Sequence, residues 1–461
     1  MDSSTLAYFR RDLFACFDRA GDALMNVADA LLTETPARSL AELSLSPFFE
    51  RRWPSLYEAF QDAKIDRNAL QKVFAQYAPL PKEGMRLVMG GDASSILRPQ
   101  SKTARDRTYV HASNLPEGTK PVRPGWQYSA LVLLPEERSS WVYMYDNRRI
   151  ESTTTASQVL ADQLKQAVTH LKRRFLLEVD GSYGSQVFRS ATNDIKCDVL
   201  ARWIGERVSP PRFAKNRVLY HRPPPATGKA GPGHPIWHGA AFKLNDPSTH
   251  GTPDQQWEGP DEKGHLVEVR CWHQLHFEKE HTQEVSLYQV IRHGAKDTKR
   301  DPKASWFLFW GQSPLQPEEV PVLYARRYHL EHGYRTAKQD LLWETPRLRT
   351  PEQFSAWTDI VSMVRNTLFL ARDLVEAVRR PWESAHRART PEQVRRAMGP
   401  IIAELGTPAR ACQPRGYSPG WQPGRARAPA ETYKVVWQAG ETAKSGAKRG
   451  SASPSAASAT A

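Results

Sequence analysis

Two acidic residues follow apolar, strand-like runs that lie far apart in the chain. The first is Asp92, at the end of LVMGGD, and the second is Asp180, at the end of FLLEVD. Between them come two further β-rich runs (126–135 and 140–147) and a helical run (156–174). With three strands, a helix and a fourth strand in this order, the first and fourth strands can lie side by side. The pattern therefore predicts that Asp92 and Asp180 meet at strand ends.

This order of elements is that of a ribonuclease H-like α/β core, in which helices flank a mixed sheet. We expect the core at residues 85–204 and 305–345. An inserted β-rich subdomain is predicted at 205–304, because a hundred residues rich in Pro, Gly, His and Trp are too many for one loop. N-cap signals and helical periodicity predict a helical N-terminal domain at 1–80 and C-terminal helices at 350–405.

The balance of charge favours a polyanionic partner. The chain has 64 Lys and Arg against 50 Asp and Glu, a formal net charge of +14. We find no apolar stretch long enough to cross a bilayer and no signal-peptide layout, so we expect a cytoplasmic protein with no membrane partner. Four scattered cysteines predict reduced thiols. Residues 406–461 are rich in Pro, Gly, Ala and Ser, which predicts a disordered basic tail.

A basic stretch lies within the expected insertion. Residues 202–243 carry eight Lys or Arg and one acidic residue, with Tyr220, Trp237 and Phe242 interleaved. Basic side chains release counterions from phosphates, and aromatic rings can stack on bases. This stretch is interpreted as a DNA contact, with a solvated basic loop as the alternative.

A helical segment near residue 330 carries a group of polar side chains on one face. At about 100° per residue, Tyr324, Arg327, Glu331 and Lys338 project to the same side, and Arg335 joins them. A carboxylate flanked by cations and a phenol is typical of a surface that handles phosphate.

Three carboxylates, Asp92, Asp180 and Glu331, can hold two divalent cations if they converge. Two-metal hydrolysis of a phosphodiester needs carboxylates that hold two ions about 3.5 to 4 Å apart. Magnesium prefers oxygen ligands and keeps several waters, so three carboxylates suffice. Taken singly, Asp92 and Asp180 could be turn residues, and Glu331 could be an ordinary helix residue.

The spacing of four of these residues resembles a known signature. Tyr324, Arg327, Glu331 and Lys338 match without gaps the tyrosine–arginine–glutamate–lysine signature of bacterial insertion-sequence transposases with an Asp-Asp-Glu active site. The segments VDGSYGSQVF, FAKNRVLYHRPPP, HGAAFKLNDP and HLEHGYRTAKQDL are also similar to such transposases. The resemblance covers roughly residues 85–345.

The resemblance implies a cut-and-paste transposase. Asp92, Asp180 and Glu331 would be catalytic and bind two Mg²⁺ ions, with Mn²⁺ as a substitute. Arg327 and Lys338 would grip phosphates beside the scissile bond, and Tyr324 would hydrogen-bond to one. It also implies double-stranded DNA, as element ends and target, for a substrate, a homodimer on DNA, and association with the nucleoid.

The long spacing before the glutamate resembles a subgroup of these enzymes. Glu331 lies 151 residues after Asp180, which fits members that carry a β insertion there. Such members often cleave through a terminal DNA hairpin and stack an inserted tryptophan on a flipped base. Four tryptophans are available for this role: Trp237, Trp272, Trp306 and Trp310.

Two alternative functions remain open at this stage. One is a ribonuclease H-fold DNA nuclease that is not linked to a mobile element and uses the same carboxylates. The other is a catalytically decayed or domesticated DNA-binding protein. The presence of all three carboxylates argues against the second alternative.

Overall fold

The structure is a computed structural model that describes residues 2–112, 121–135, 139–203, 217–223, 235–261, 264–294, 304–376, 378–384, 386, 388–413, 420, 422–426 and 428–440. Its α-helices are α1 (Ser3–Ala15), α2 (Gly21–Thr33), α3 (Leu40–Leu43), α4 (Trp53–Asp62), α5 (Arg67–Gln76), α6 (Ala156–Leu171), α7 (Gln186–Thr192), α8 (Glu319–Arg326), α9 (Tyr328–Arg335), α10 (Pro351–Ala371), α11 (Pro391–Arg395) and α12 (Met398–Leu405). A 3₁₀ turn (Pro247–Thr249) and a π-helical turn (Thr336–Asp340) complete the helical elements of the described chain.

The strands are β1 (Phe17–Arg19), β2 (Lys64–Ile65), β3 (Leu87–Leu97), β4 (Thr108–His111), β5 (Val122–Leu133), β6 (Tyr143–Ile150), β7 (Phe175–Val179), β8 (Asp198–Trp203), β9 (Val218–Tyr220), β10 (Ala241–Lys243), β11 (Gln255–Pro260), β12 (Leu266–Phe277), β13 (Glu280–Arg292) and β14 (Ala304–Trp310). Strands β1 and β2 form a small antiparallel pair.

The other twelve described strands form one mixed sheet. Its order is β10-β9-β12-β13-β14-β8-β7-β3-β5-β4, with β11 on β12 and β6 on β5. Strand β7 is buried along its length and pairs in parallel with β3 and with β8, as expected for a continuous apolar run between helices. The pairing of β3 with β7 confirms the predicted contact between the first and fourth strands. The mixed α/β architecture is consistent with a ribonuclease H-like fold.

The expected insertion at 205–304 does not form a separate sheet among the described residues. Strand β13 pairs with β14, and β14 pairs with β8, so the strands of this region extend the core sheet outward. A separate subdomain would have left the long edge of β14 unpaired, which folded proteins generally avoid. The correction concerns strand pairing, which local sequence patterns do not reveal.

Helices cover the two faces of the sheet at β3, where two adjacent glycines permit close approach. A Cβ added to Gly91 would lie 2.9 Å from Leu160 of α6, and a Cβ added to Gly90 would lie 3.2 Å from Leu330 of α9. Because successive strand residues face opposite sides, α6 and α9 must pack on opposite faces. Gly90 thus lets α9 lie close to one face of the sheet, and Gly91 lets α6 lie close to the other.

The long helix α10 is buried along almost its whole length and packs against both β6 and α2. Its predicted start is confirmed: Thr350 is the N-cap, Pro351 is the first residue, and Gln353 completes a capping box. Further along, the Asn366 side chain accepts a hydrogen bond from the backbone N–H of Met144 and donates one to its carbonyl, both at 2.8 Å. This amide replaces a strand partner for β6.

The N-terminal helices share their apolar core with the rest of the chain. One continuous set of buried residues extends from α1 and α2 through α10 to the sheet. The buried Arg395 of α11 donates to the carbonyl oxygens of Leu31 and Glu34 at the end of α2, both at 2.9 Å. These bonds satisfy carbonyls left over at a helix end and join the two ends of the chain.

Part of the expected disordered tail is docked. Backbone N–H groups of the tail donate to carbonyls beside β4 and before α6, in the pairs Tyr433 to Lys102, Val436 to Arg107 and Ala439 to Ser152. The Trp437 ring lies 4.8 Å from that of Tyr109 on β4. This stretch corrects the expectation of disorder at 406–461. It covers the edge of the sheet at β4, and residues 441–461 lie outside the described residues.

No helix in the described part of the chain is both long enough and apolar enough to cross a membrane. All four cysteines carry free thiols, and Cys16, Cys197 and Cys271 are buried while Cys412 is exposed.

The docked tail predicts a difference between two truncations. A chain ending at residue 427 loses three backbone hydrogen bonds and an aromatic contact, and its free energy of unfolding should fall by about 1–3 kcal/mol. A chain ending at residue 440 keeps them and should unfold like the full-length protein. Urea unfolding of the three proteins measures the difference; equal midpoints for the two truncations would show that the docking adds no stability.

Candidate active site

Asp92 and Asp180 lie side by side on neighbouring parallel strands. The register pairs Gly91 with Val179, so the next residue of each strand is an aspartate. Asp180 follows the end of β7 as predicted. Asp92 does not end its strand, because β3 continues to Leu97 through its pairing with β5. The two carboxylates therefore meet where β7 stops and β3 continues.

The helical segment predicted near residue 330 is interrupted. Arg327 separates α8 from α9, and the chain there makes tighter i to i+3 bonds: Arg327 N–H donates to Tyr324, and Leu330 N–H donates to Arg327. Leu330 packs over Gly90, on the face of the sheet that carries Asp92. Glu331 of α9 therefore belongs to the same face as the two aspartates.

The guanidinium group of Arg327 connects two of the three carboxylates. Its Nη2 lies 3.3 Å from Oδ2 of Asp92, and its Nη1 lies 3.5 Å from Oε1 of Glu331. The Arg327 and Asp92 side chains are 12% and 19% exposed, whereas that of Glu331 is 54% exposed. Burial lowers the pKa of Arg327, but the charges of Asp92 and the other acids outweigh it and raise the pKa.

The pKa of Asp92 shows that the acidic groups act on one another. The pKa of Asp92 is raised to about 6; burial is the largest cause, the charge of Arg327 opposes it, and the negative charges of Asp180 and Glu331 add to it. Acids that disfavour each other's ionisation in a partly buried place are stabilised by a nearby cation. The chemistry of the donor set therefore fits a divalent metal ion.

The positions of these donors are not those of a closed metal site. No three His, Cys, Asp or Glu side chains of the described residues are gathered closely enough to hold a metal ion. Arg327 lies between Asp92 and Glu331. One oxygen of Asp180 accepts hydrogen bonds from the backbone N–H of Ser182 at 2.9 Å and from its hydroxyl at 2.5 Å, which fixes that carboxylate.

Tyr324 and Arg335 occupy different surroundings. The Tyr324 ring packs 4.6 Å from that of Phe307, and burial raises its pKa to about 12. Its hydroxyl is near enough to Arg327 and Asp180 for their charges to act on it. Arg335 is exposed at the end of α9, four residues after Glu331.

Lys338 reaches β3 from a π-helical turn. Leu341 N–H donates to the Thr336 carbonyl five residues earlier, so the regular helical period ends after α9. The Lys338 Nζ nevertheless donates to the carbonyl oxygen of Ser95 at 3.1 Å and pairs with Glu344 at 3.4 Å. Ser95 is three residues beyond Asp92 on β3. Lys338 therefore lies near the acidic cluster of Asp92, Asp180 and Glu331.

A comparison with protein families decides the class of the chain. The sequence profile of the DDE superfamily endonucleases matches residues 12–274, which is more than half of the chain. The chain belongs to the DDE superfamily endonucleases. The matched segment contains Asp92 and Asp180 and ends before Glu331. No curated protein matches the chain.

Membership of this superfamily implies DNA as the substrate and a transposase- or nuclease-type activity. Enzymes of this superfamily generally use divalent metal ions, which agrees with the acidic donor set of this endonuclease.

Sequence reasoning missed three buried neighbours of the endonuclease's carboxylates. Tyr334 donates from its hydroxyl to the carbonyl oxygen of Asp92 at 3.1 Å, and Tyr183 is buried where the charges of Asp92 and Asp180 act on it. Glu178 is fully buried two residues before Asp180, on the same face of β7. Two of them carried a signal: Tyr334 is three residues after Glu331, and Glu178 interrupts an apolar run.

The structure separates the four tryptophans that were candidates for base stacking. Three are buried in the core, at 3%, 7% and 3% exposure: Trp272, Trp306 and Trp310. Trp237 is 46% exposed and stacks on His281 at 4.9 Å. Much of the predicted basic DNA contact (204–216 and 224–234) lies outside the described residues.

The raised pKa of Asp92 predicts how its substitution changes stability. In the folded protein this carboxyl keeps its proton to about pH 6, whereas in the unfolded chain it loses it near pH 4, so its ionisation lowers stability as pH rises between these values. Without metal, Asp92→Asn should therefore be more stable than wild type by about 1–3 kcal/mol at pH 7.5.

At pH 4 the gain from Asp92→Asn should be close to zero, because both forms of residue 92 are then neutral in the folded state. Urea unfolding with a chelator at the two pH values measures the difference in free energy of unfolding between Asp92→Asn and wild type. Asp162→Asn, on the exposed surface of α6, is the control. An equal gain at both pH values would show that ionisation of Asp92 is not the cause.

Proposed function

We propose that the protein is a cut-and-paste DNA transposase that cleaves the ends of its element and transfers them to target DNA. The observation that carries the proposal is the meeting of Asp92 with Asp180 across β3 and β7, beneath a helix that brings Glu331 to the same face. The spacing of Tyr324, Arg327, Glu331 and Lys338 supports the assignment to insertion-sequence transposases.

Asp92, Asp180 and Glu331 would hold two Mg²⁺ ions, or Mn²⁺ in their place. When bound, such ions supply activation of the attacking oxygen and charge stabilisation at the leaving oxygen of the phosphodiester. The protein contributes rigidity: Ser182 fixes one oxygen of Asp180, and Tyr334 holds the backbone of β3 at Asp92.

The surrounding cations and phenol would position the DNA. Lys338 and Arg335 lie on the surface around the acidic cluster, where they can contact phosphates on either side of the scissile bond. Arg327 and Tyr324 lie deeper, beside the carboxylates. Of the four tryptophans considered for base stacking, exposure favours Trp237.

Two copies on DNA, within the nucleoid, would complete the reaction. Cut-and-paste transfer requires both ends of the element to be held together, and one catalytic site per end is the simplest arrangement. This part of the proposal rests on the resemblance to insertion-sequence transposases.

A nuclease of the same fold that serves no mobile element is the second candidate. It would use the same carboxylates and the same ions, so family membership favours neither. Short inverted repeats on both sides of the reading frame are expected only for a transposase. A decayed DNA-binding protein would not need three acids to be kept in a mutually repulsive arrangement.

Loss of any one carboxylate should abolish cleavage. Asp92→Asn, Asp180→Asn and Glu331→Gln should each lower Mg²⁺-dependent nicking of DNA that flanks the protein's own reading frame by about a hundredfold or more, because each removes a metal ligand. DNA binding should remain. Nicks mapped to the nucleotide measure the effect, with Asp162→Asn on α6 as the control. Retained cleavage in one variant would remove that residue from the site.

Lys338 should contribute to the salt dependence of DNA binding. Lys338→Ala removes one phosphate contact, which should reduce the slope of log K against log salt by about 1. The matched control is Lys165→Ala, since Lys165 is exposed on α6 on the opposite face of the sheet. Fluorescence anisotropy at several salt concentrations gives both slopes. Identical slopes would place Lys338 away from the DNA.

A further inference from the structure

Arg327 pairs with two of the three carboxylates that would bind the metal ions. Its two terminal nitrogens face Asp92 and Glu331 at 3.3 and 3.5 Å, and the guanidinium is largely buried. The charge of Asp180 also acts on it. The singly charged guanidinium of Arg327 thus lies among three acidic residues that belong to different parts of the fold. The same oxygens cannot pair with Arg327 and bind a divalent ion at full strength.

A further carboxyl group lies beside Arg327 without a full set of partners. Glu178 is completely buried, with 0% of its surface accessible to solvent. Neither of its carboxyl oxygens has a hydrogen-bond partner of good geometry among the described residues. Burial raises the pKa of Glu178 well above its usual range, whereas the charges of Arg326 and Arg327 and the backbone N–H of Arg327 lower it. The Nε of Arg327 also lacks a partner within the described chain. An acceptor and a donor are therefore both available beneath the acidic cluster.

The backbone of Arg327 belongs to neither of the two helices that flank it. Arg327 stands between α8 and α9, where i to i+3 bonds replace the regular helical pattern. Glu331 belongs to α9, and Tyr324 belongs to α8. A change in the direction of the Arg327 side chain therefore does not require either helix to unwind.

We propose that Arg327 is an internal cation that closes the metal site in the metal-free protein, and that Glu178 receives its guanidinium group when a divalent ion binds. The inference rests on the proposed function, because it takes Asp92 and Glu331 as metal ligands. It explains why no three acids of the described residues are gathered around one point. Metal binding and the Arg327 pairing compete for the same oxygens, so each weakens the other.

Glu178 acts here as a positioning residue. It touches neither DNA nor metal in this account, and it acts through Arg327. Replacing its carboxyl group by an amide should leave the guanidinium without a second carboxyl partner and hold it against Asp92 and Glu331. Removing the guanidinium should have the opposite effect on metal binding, because the acids then lack their internal counter-charge.

The test is the affinity of the full-length protein for Mn²⁺ without DNA, measured by calorimetry and by the electron paramagnetic resonance signal of free Mn²⁺. Arg327→Gln should bind Mn²⁺ about fivefold more tightly than wild type, or better, and Glu178→Gln about fivefold more weakly. Lys165→Gln is the matched control. It also removes one positive charge, but from the exposed surface of α6 on the opposite face of the sheet, so its affinity should change by less than about twofold.

Two further variants keep the outcomes distinct. Arg327→Met preserves the bulk of the side chain and replaces Arg327→Gln if circular dichroism shows that the latter is unfolded. Asp92→Asn reports on the proposed function, because it removes a metal ligand and should weaken Mn²⁺ binding about tenfold or more.

The outcomes separate the two proposals. Unchanged or weaker binding in both Arg327 variants would overturn the inference, while loss of binding in Asp92→Asn would still support the metal site. Wild-type binding in Asp92→Asn would overturn the metal site itself. Unchanged binding in Glu178→Gln would overturn the role of Glu178.

Discussion

The parallel pairing of β3 with β7 is the contact on which the candidate site depends. The register that sets Gly91 against Val179 also sets Asp92 beside Asp180. A slip of one residue would turn one aspartate to the opposite face, because strand side chains alternate. Gly90 then lets α9 approach this face, and α9 carries Glu331. The catalytic proposal follows from these backbone contacts before any side-chain chemistry is considered.

Arg327 links this architecture to its chemistry. It pairs with Asp92 and Glu331, and it lies at the junction of the two helices that cover the site. Burial, and then the repulsion of the neighbouring acids, raises the pKa of Asp92, so the ionised acids need a positive charge beside them in either state of the protein. In the metal-free state a guanidinium supplies it, and in the loaded state metal ions would. Arg327 therefore has two parts in the proposal, as a member of the tyrosine–arginine–glutamate–lysine spacing and as the counter-charge of the acids.

Much of the core could be predicted from the sequence, because it rests on local patterns. Apolar runs, a helix and Thr-Pro caps such as Thr350 with Pro351 led to the strand order and to helix starts. The same reasoning assumed a regular helix around Glu331, yet Arg327 and the π-helical turn interrupt it. The roles of Glu178 and Tyr183 depend on burial, which spacing alone does not show.

Long-range pairing accounts for the remaining differences. The expected insertion extends the core sheet because β13 pairs with the edge of β14. The tail docks because its backbone N–H groups bond to carbonyls beside the edge strand β4. Both edges are created by the fold and are invisible in local composition.

Metal binding by the acids of β3, β7 and α9 together is the step on which the proposed chemistry depends. Anomalous diffraction from crystals soaked in Mn²⁺ can locate the ions. We expect Mn²⁺ peaks within coordination distance of Asp92, Asp180 and Glu331, with the Arg327 guanidinium moved away from Asp92. Mn²⁺ peaks elsewhere in the protein, with Arg327 still bridging Asp92 and Glu331, would contradict it.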